Sequence, residues 1–129
     1  MMRYITLGLG IAAGAAIGAA AVESLHAQAT AHAYVVTMPS PADPDAYTKT
    51  YAAFTQATFQ PFGGRYVVRG GKKVVFDGNP PNVVIIEFDS LSKAEAWRGS
   101  AAFKALIPAR DKAVGSGTYQ SMAVEGVAN

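Results

Sequence analysis

The sequence predicts one α+β domain in which helices cover one face of an antiparallel sheet, in the order β-α-β-β-α-β. Three observations predict it. β-branched and aromatic runs alternate with helical segments that carry their own start and stop signals. A glycine-bounded stretch, Gly63 to Phe88, holds the middle strands back to back with no helix between them. Half of the residues are hydrophobic and 16% are charged over 129 residues, the balance of a single globular domain.

Ala33 to Met38 reads as the first strand, ended by Pro39 and Pro41. Asp43-Pro44 opens a helix, with aspartate as N-cap and proline in the first turn. Tyr47, Tyr51, Phe54 and Thr58 follow at steps of four, three and four, so a regular helix puts them on one inward face. Pro61 stops that helix, and Gly63-Gly64 turns the chain. Arg65 to Arg69 is the second strand. Strict alternation puts Arg65, Val67 and Arg69 on one face and Tyr66 and Val68 on the other. Gly70-Gly71 is a hairpin signal, and Lys72 to Asp77 is expected to return as a short strand. After the Gly78-Asn79-Pro80-Pro81 loop, Asn82 to Phe88 is the next strand.

Val83 to Ile86 is apolar at every position, so both faces of this strand are expected to be buried. Helices of the same chain can cover one face; the other needs a second cover. Ser90 or Ser92 caps the following helix, Gly99-Ser100 breaks and recaps it, and Pro108 restarts it towards Val114. Thr118 to Val124 is the last strand. This order is the ferredoxin-like arrangement. Two such sheets packed face to face bury the uncovered side, so a homodimer is expected.

Residues 1–29 read as a secretory signal peptide. Arg3 gives a basic start, no charge falls between Tyr4 and Val22, and Ala27-Gln28-Ala29 has the small-residue spacing of a cleavage site. The competing reading is an uncleaved anchor, with Gly10, Gly14 and Gly18 at the spacing of membrane helix pairs. The strongly apolar residues there are few, which favours cleavage. The expected domains are therefore 1–29, signal, and 30–129, one ferredoxin-like domain. The product is expected to be periplasmic or secreted, with no stable membrane association after cleavage. Gly8-Leu9-Gly10 superficially resembles a dinucleotide fingerprint, but the glycine spacing is one residue too long and no strand precedes it.

Several chemistries are disfavoured outright. The chain has no cysteine and only two histidines, His26 and His32, so thiol chemistry is excluded and a histidine-based metal site or haem is not expected. Its net charge is +2, and the eleven basic residues form no stripe, so no nucleic-acid partner is expected.

At Ala33-Tyr34-Val35-Val36, Asp43-Pro44-Asp45-Ala46-Tyr47, Gly63 to Gly71, Val84-Ile85-Ile86-Glu87-Phe88 and Ala96-Trp97, with Ser100 and Phe103, the chain resembles the uncharacterised bacterial family called domain of unknown function 1330, within the dimeric α/β-barrel superfamily. The resemblance runs from about Ala33 to Gly126. It implies the fold and a dimer and carries over no catalytic residue, because that family has no established activity and the wider superfamily hosts several chemistries.

The candidate site rests on Glu87 and Arg69 as catalytic residues, because each charge ends an apolar run where an unpaired charge is costly. Both are expected to face one cleft. Tyr34, Arg65, Tyr66, Trp97 and Arg110 are the candidate substrate-binding residues. A structural ion pair is the plainer reading of Arg69 and Glu87, and core packing that of Trp97. His32 is a candidate general base, though a place in the stub left by cleavage explains it as well. Two function classes emerge. One is an exported, dimeric small-molecule-binding protein with an apolar pocket between sheet and helices. The other is a cofactor-independent enzyme, monooxygenase- or isomerase-like, acting on a small aromatic or acidic compound. A purely structural dimer stands beside them. No cofactor or metal is expected.

Overall fold

The computed structural model describes residues 31–128; the signal-peptide reading lies outside the described residues. Four antiparallel strands form one sheet: β1 (Ala33–Ser40), β2 (Arg65–Val68), β3 (Val84–Phe88) and β4 (Thr118–Glu125), in the order β2-β3-β1-β4. The helices are α1 (Pro44–Tyr47), α2 (Ala53–Phe59), α3 (Leu91–Arg98), α4 (Ala101–Lys104) and α5 (Ile107–Val114). This is the expected ferredoxin-like α+β fold.

Local chemistry sets the boundaries. The Asp43 side chain accepts from the Ala46 N–H at 3.0 Å and starts α1, with Pro44 in the first turn. Ser90, rather than Ser92, caps α3 by accepting from the Lys93 N–H, and Ser100 caps α4 by accepting from the Phe103 N–H at 3.2 Å. Gly63 ends the first helical rod in the left-handed region at φ 78°, which a side chain resists. At Gly64 a Cβ would lie 2.8 Å from Phe59 and 2.9 Å from Phe88, so the turn into β2 passes too close to the core for any side chain.

The core lies between the sheet and the helices, where Val35, Ile86 and Phe88 meet Tyr51, Phe59, Ala94, Trp97 and Phe103. Trp97 is its centre, stacked on Phe88 at 5.5 Å between ring centroids and edge-on to Phe59 and Phe103 at 5.9 and 4.8 Å.

Two expectations are corrected. First, α1 and α2 are joined by a π-helical turn, Thr48–Ala52, in which the Ala53 N–H reaches back to the Thr48 carbonyl. Thr48, Thr50 and Thr55 hydroxyls donate to carbonyls four residues earlier, a pattern that bends helices. The extra residue in the turn rotates α2 relative to α1. Tyr51, Thr55, Thr58 and Phe59 face inward, and Phe54 is 54% exposed. Second, residues 72–77 form no strand. β2 is an edge strand with no further neighbour, so the β-propensity of Val74-Val75-Phe76 finds no partner; Phe76 is 90% exposed. The chain's own helices cover one face of β3 and leave the other open. Ile86 and Phe88 are buried, whereas Val83, Val84 and Ile85 are half-buried.

The register defines the uncovered face. Tyr34 pairs with Glu87 and Val124, Val36 with Ile85 and Met122. Directly paired residues share a face, so these six side chains stand together on the side away from the helices.

Candidate functional site

The two candidate catalytic residues lie on opposite faces of the sheet. β2 carries a bulge: Arg65 pairs with Glu87, Tyr66 with Ile86, and then Val68, not Val67, opposes Ile85. The extra residue reverses the alternation. Arg65 therefore shares the uncovered face with Glu87, while Arg69 joins Tyr66 on the helix side. The expectation of one cleft holding Arg69 and Glu87 is overturned, and so is strict alternation along residues 65–69.

On the uncovered face Glu87 is the hub of a polar cluster built by three adjacent strands. Its Oε2 accepts from His32 Nδ1 at 2.7 Å and from the Tyr34 hydroxyl at 3.1 Å, and its Oε1 accepts from Arg65 Nε at 3.1 Å. Arg65 also reaches Asp89 Oδ1 at 3.3 Å. The hydrogen bond from His32 holds the Glu87 carboxyl below the usual carboxylate range; burial opposes this, and Tyr34 and Arg65 reinforce it. Because an ionised carboxylate only accepts, His32 Nδ1 carries a proton in this contact. The 3.5 Å approach of Arg65 Nη2 to the same nitrogen then sets donor against donor and is no hydrogen bond. His32 belongs to the folded domain: its carbonyl accepts from the Gly126 N–H at 2.7 Å, which ties it to the end of β4.

This cluster is a strut, with every Glu87 oxygen engaged by protein. Glu87→Gln is therefore expected to cost about 1 kcal/mol of stability at neutral pH, one charge-assisted hydrogen-bonded contact at a half-buried site. The sign follows from the lowered folded-state value. The contribution is present above the ordinary carboxyl value, about 4.3, and disappears as pH falls through the depressed folded value. Denaturant unfolding from neutral to acid pH checks this: the wild-type and Glu87→Gln stabilities should converge below the carboxyl range. Parallel curves would remove the strut.

The second feature lies on the helix side. A cavity of about 410 Å³ opens between the sheet and the first helical rod. Its inner wall is Thr37, Tyr51, Thr55, Ile86 and Trp97, all buried; Tyr47, Tyr66 and Tyr119 flank it, and Gln56 and Arg69 stand at the exposed rim. The π-turn positions Tyr51 beside Tyr47, with ring centroids 5.2 Å apart. The Tyr51 and Tyr119 hydroxyls lie 3.2 Å apart. Burial pushes the phenols of Tyr47 and Tyr51 far above their ordinary range and raises that of Tyr66, so all three are protonated donors at neutral pH. Trp97 donates its Nε1–H to Thr58 Oγ1 at 2.9 Å, which fixes the indole as a wall.

Of the candidate substrate-binding residues, Tyr66 and Trp97 line this cavity, together with Arg69. Tyr34 and Arg65 do not; they bind Glu87 on the other face. Arg110 stands behind the cavity, its guanidinium 4.5 Å from the centre of the Tyr119 ring, with Nε and Nη2 on Asp111 Oδ1. Tyr47, Tyr51, Thr55 and Tyr119 line the cavity without being among the candidate binding residues. The spacing of Tyr47 and Tyr51 is visible in the sequence, but an aromatic stripe of that kind reads first as core. Among the described residues no group of histidine, cysteine and carboxylate side chains could hold a metal ion, and no helix is long and apolar enough to cross a membrane.

Fold and cavity together define a small α+β domain with a helix-side chamber and an open sheet face. The chain belongs to the family described as domain of unknown function (DUF1330), whose sequence model matches residues 32–127. Among solved structures it is similar to the RPA0582 protein of unknown function from Rhodopseudomonas palustris, at 18% identity over 78% of this chain and 85% of that one, with a TM-score of 0.56. The methylated RPA0582 protein is similar at 17% identity over 75% and 82% of the two chains, also with a TM-score of 0.56. A putative antibiotic biosynthesis monooxygenase from Caulobacter crescentus CB15 aligns at 15% identity over 76% and 91%, with a TM-score of 0.41. No curated protein matches the chain.

Proposed function

We propose that this is an exported, homodimeric small-molecule-binding protein whose ligand enters the chamber between sheet and helices. The observation that carries the reading is the cavity: its volume of about 410 Å³ falls within the ordinary range for small-molecule sites, and its walls combine aromatic and aliphatic side chains with a few polar groups. An enzyme that abstracts a proton needs a general base within reach of the ligand, and burial keeps the cavity's Tyr47, Tyr51 and Tyr66 protonated. The cavity is lined by no carboxylate and no imidazole, and the ionised Glu87 is engaged on the far face. Binding is therefore favoured over turnover. The uncovered sheet face, where Met122 is 55% and Val124 47% exposed, supports a second copy as its cover. The basic start, uncharged centre and small-residue exit of residues 1–29 support export.

Trp97 is the sole tryptophan, so its indole N–H gives a single resonance at the cavity wall. Mass spectrometry of the natively purified protein is expected to find a retained small molecule. After its removal, titration with naphthalene derivatives should shift the Trp97 resonance saturably. No retained species, and no saturable shift with neutral or charged naphthalenes, would overturn the reading.

A further inference from the structure

We infer that the chamber selects an aromatic ligand bearing one anionic group, an aryl carboxylate in its simplest form, with the ring against Tyr47, Tyr66 and Trp97 and the anion at Arg69. This rests on the cavity reading above and gives it a ligand class. The first support is charge. Arg69 is the one charged side chain among the cavity's lining residues. Among the described residues it takes part in no ion pair, whereas Arg65 and Arg110 each hold a carboxylate. A carboxylate ligand supplies that missing partner in the planar, two-pronged geometry that a guanidinium matches.

The second support is preorganisation. The Arg69 guanidinium lies 4.6 Å from the centre of the Tyr66 ring, which itself packs edge-on to Phe59 at 4.9 Å. The fork is thus held at the rim by a ring that is in turn fixed by the core. The third support is the inner end. Tyr51 and Tyr119 hydroxyls share one hydrogen bond at 3.2 Å, and two hydroxyls carry two protons. Whichever donates to the other, one proton remains to be offered to an acceptor on the ligand. Behind them Arg110 adds positive potential, and its Nη1 is buried with no hydrogen-bond partner among the described residues. Donors at both ends and aromatic walls between them suit an anionic ring compound and reject a cationic one.

The test compares naphthoate, naphthylmethanol and naphthylmethylammonium, which share a ring system and differ in charge. Calorimetry and the Trp97 indole resonance read the binding. Naphthoate is expected to bind roughly ten-fold or more tightly than the alcohol, the factor set by one charge-assisted hydrogen-bonded pair at a partly exposed rim. The ammonium compound should bind most weakly. In Arg69→Gln the ratio of naphthoate to alcohol affinity should fall to near one, and Arg69→Lys should restore part of it. An alcohol that binds as well as naphthoate, or an unchanged ratio in Arg69→Gln, overturns the ligand class and leaves the chamber standing. Failure of all three compounds to bind overturns the chamber reading itself.

Discussion

Replacing Trp97 by alanine is expected to remove about 3–5 kcal/mol of folding stability, the range for emptying a buried aromatic site. Trp97 is 2% exposed and touches the core from three sides, with Phe59, Phe88 and Phe103 as ring partners. The loss has a polar part as well. Thr58 Oγ1 accepts from the indole and donates to the Thr55 carbonyl at 2.6 Å, so alanine leaves a buried hydroxyl with one partner fewer. A domain of this size has about 5–15 kcal/mol in total, so the variant should melt at least roughly 12 °C lower. Thermal unfolding followed by circular dichroism measures this. A loss below about 1 kcal/mol would show that Trp97 has little part in the core. Trp97→Phe keeps most of the volume and should cost less.

The fold was legible because its signals are local. Asp43-Pro44, Ser100 and Gly63 each act through a hydrogen bond or a backbone angle spanning a few residues, and each boundary falls where that chemistry puts it. The strand order follows from alternating segments and simple connection rules. What could not be read were single-residue insertions. The π-turn at Thr48–Ala52 and the bulge in β2 each add one residue to a regular period, and each reverses or rotates the residues after it. Arg69 illustrates the cost. Its charge, neighbours and place at the end of a strand were visible, but the face it occupies depends on whether Val67 has a partner across the strand.

The polar cluster shows the complementary case. Arg65, Glu87 and Tyr34 are register partners, yet register depends on three strands meeting and is not written in any one of them. His32 lies just before β1 and resembles a tail residue in sequence. Only the Gly126 N–H on its carbonyl and the carboxylate beside its ring bring it into the domain. The exposed Val74-Val75-Phe76 segment fails in the other direction, since its strand-like composition is a preference that only a neighbouring strand can satisfy.

The second large effect is expected at Ile85. It sits on the uncovered face in register with Val36, which in turn opposes Met122. If a second copy covers this face, Ile85 is desolvated on assembly, and an aspartate there becomes a buried charge with no partner. That costs several kcal/mol, comparable to what an ordinary interface supplies beyond the entropy of association. Ile85→Asp should therefore convert a dimer into a monomer at micromolar concentration. The half-buried position of Ile85 within one chain means that the domain itself should survive the change. Light scattering separates the outcomes, with circular dichroism confirming the fold. A wild-type protein that is already monomeric at that concentration sinks the dimer. A variant that stays dimeric shows that the two copies meet elsewhere, leaving Met122 and Val124 open to solvent. Because the chamber opens on the helix side of the sheet, the monomeric variant should still bind naphthoate, so that assembly and ligand binding are measured separately.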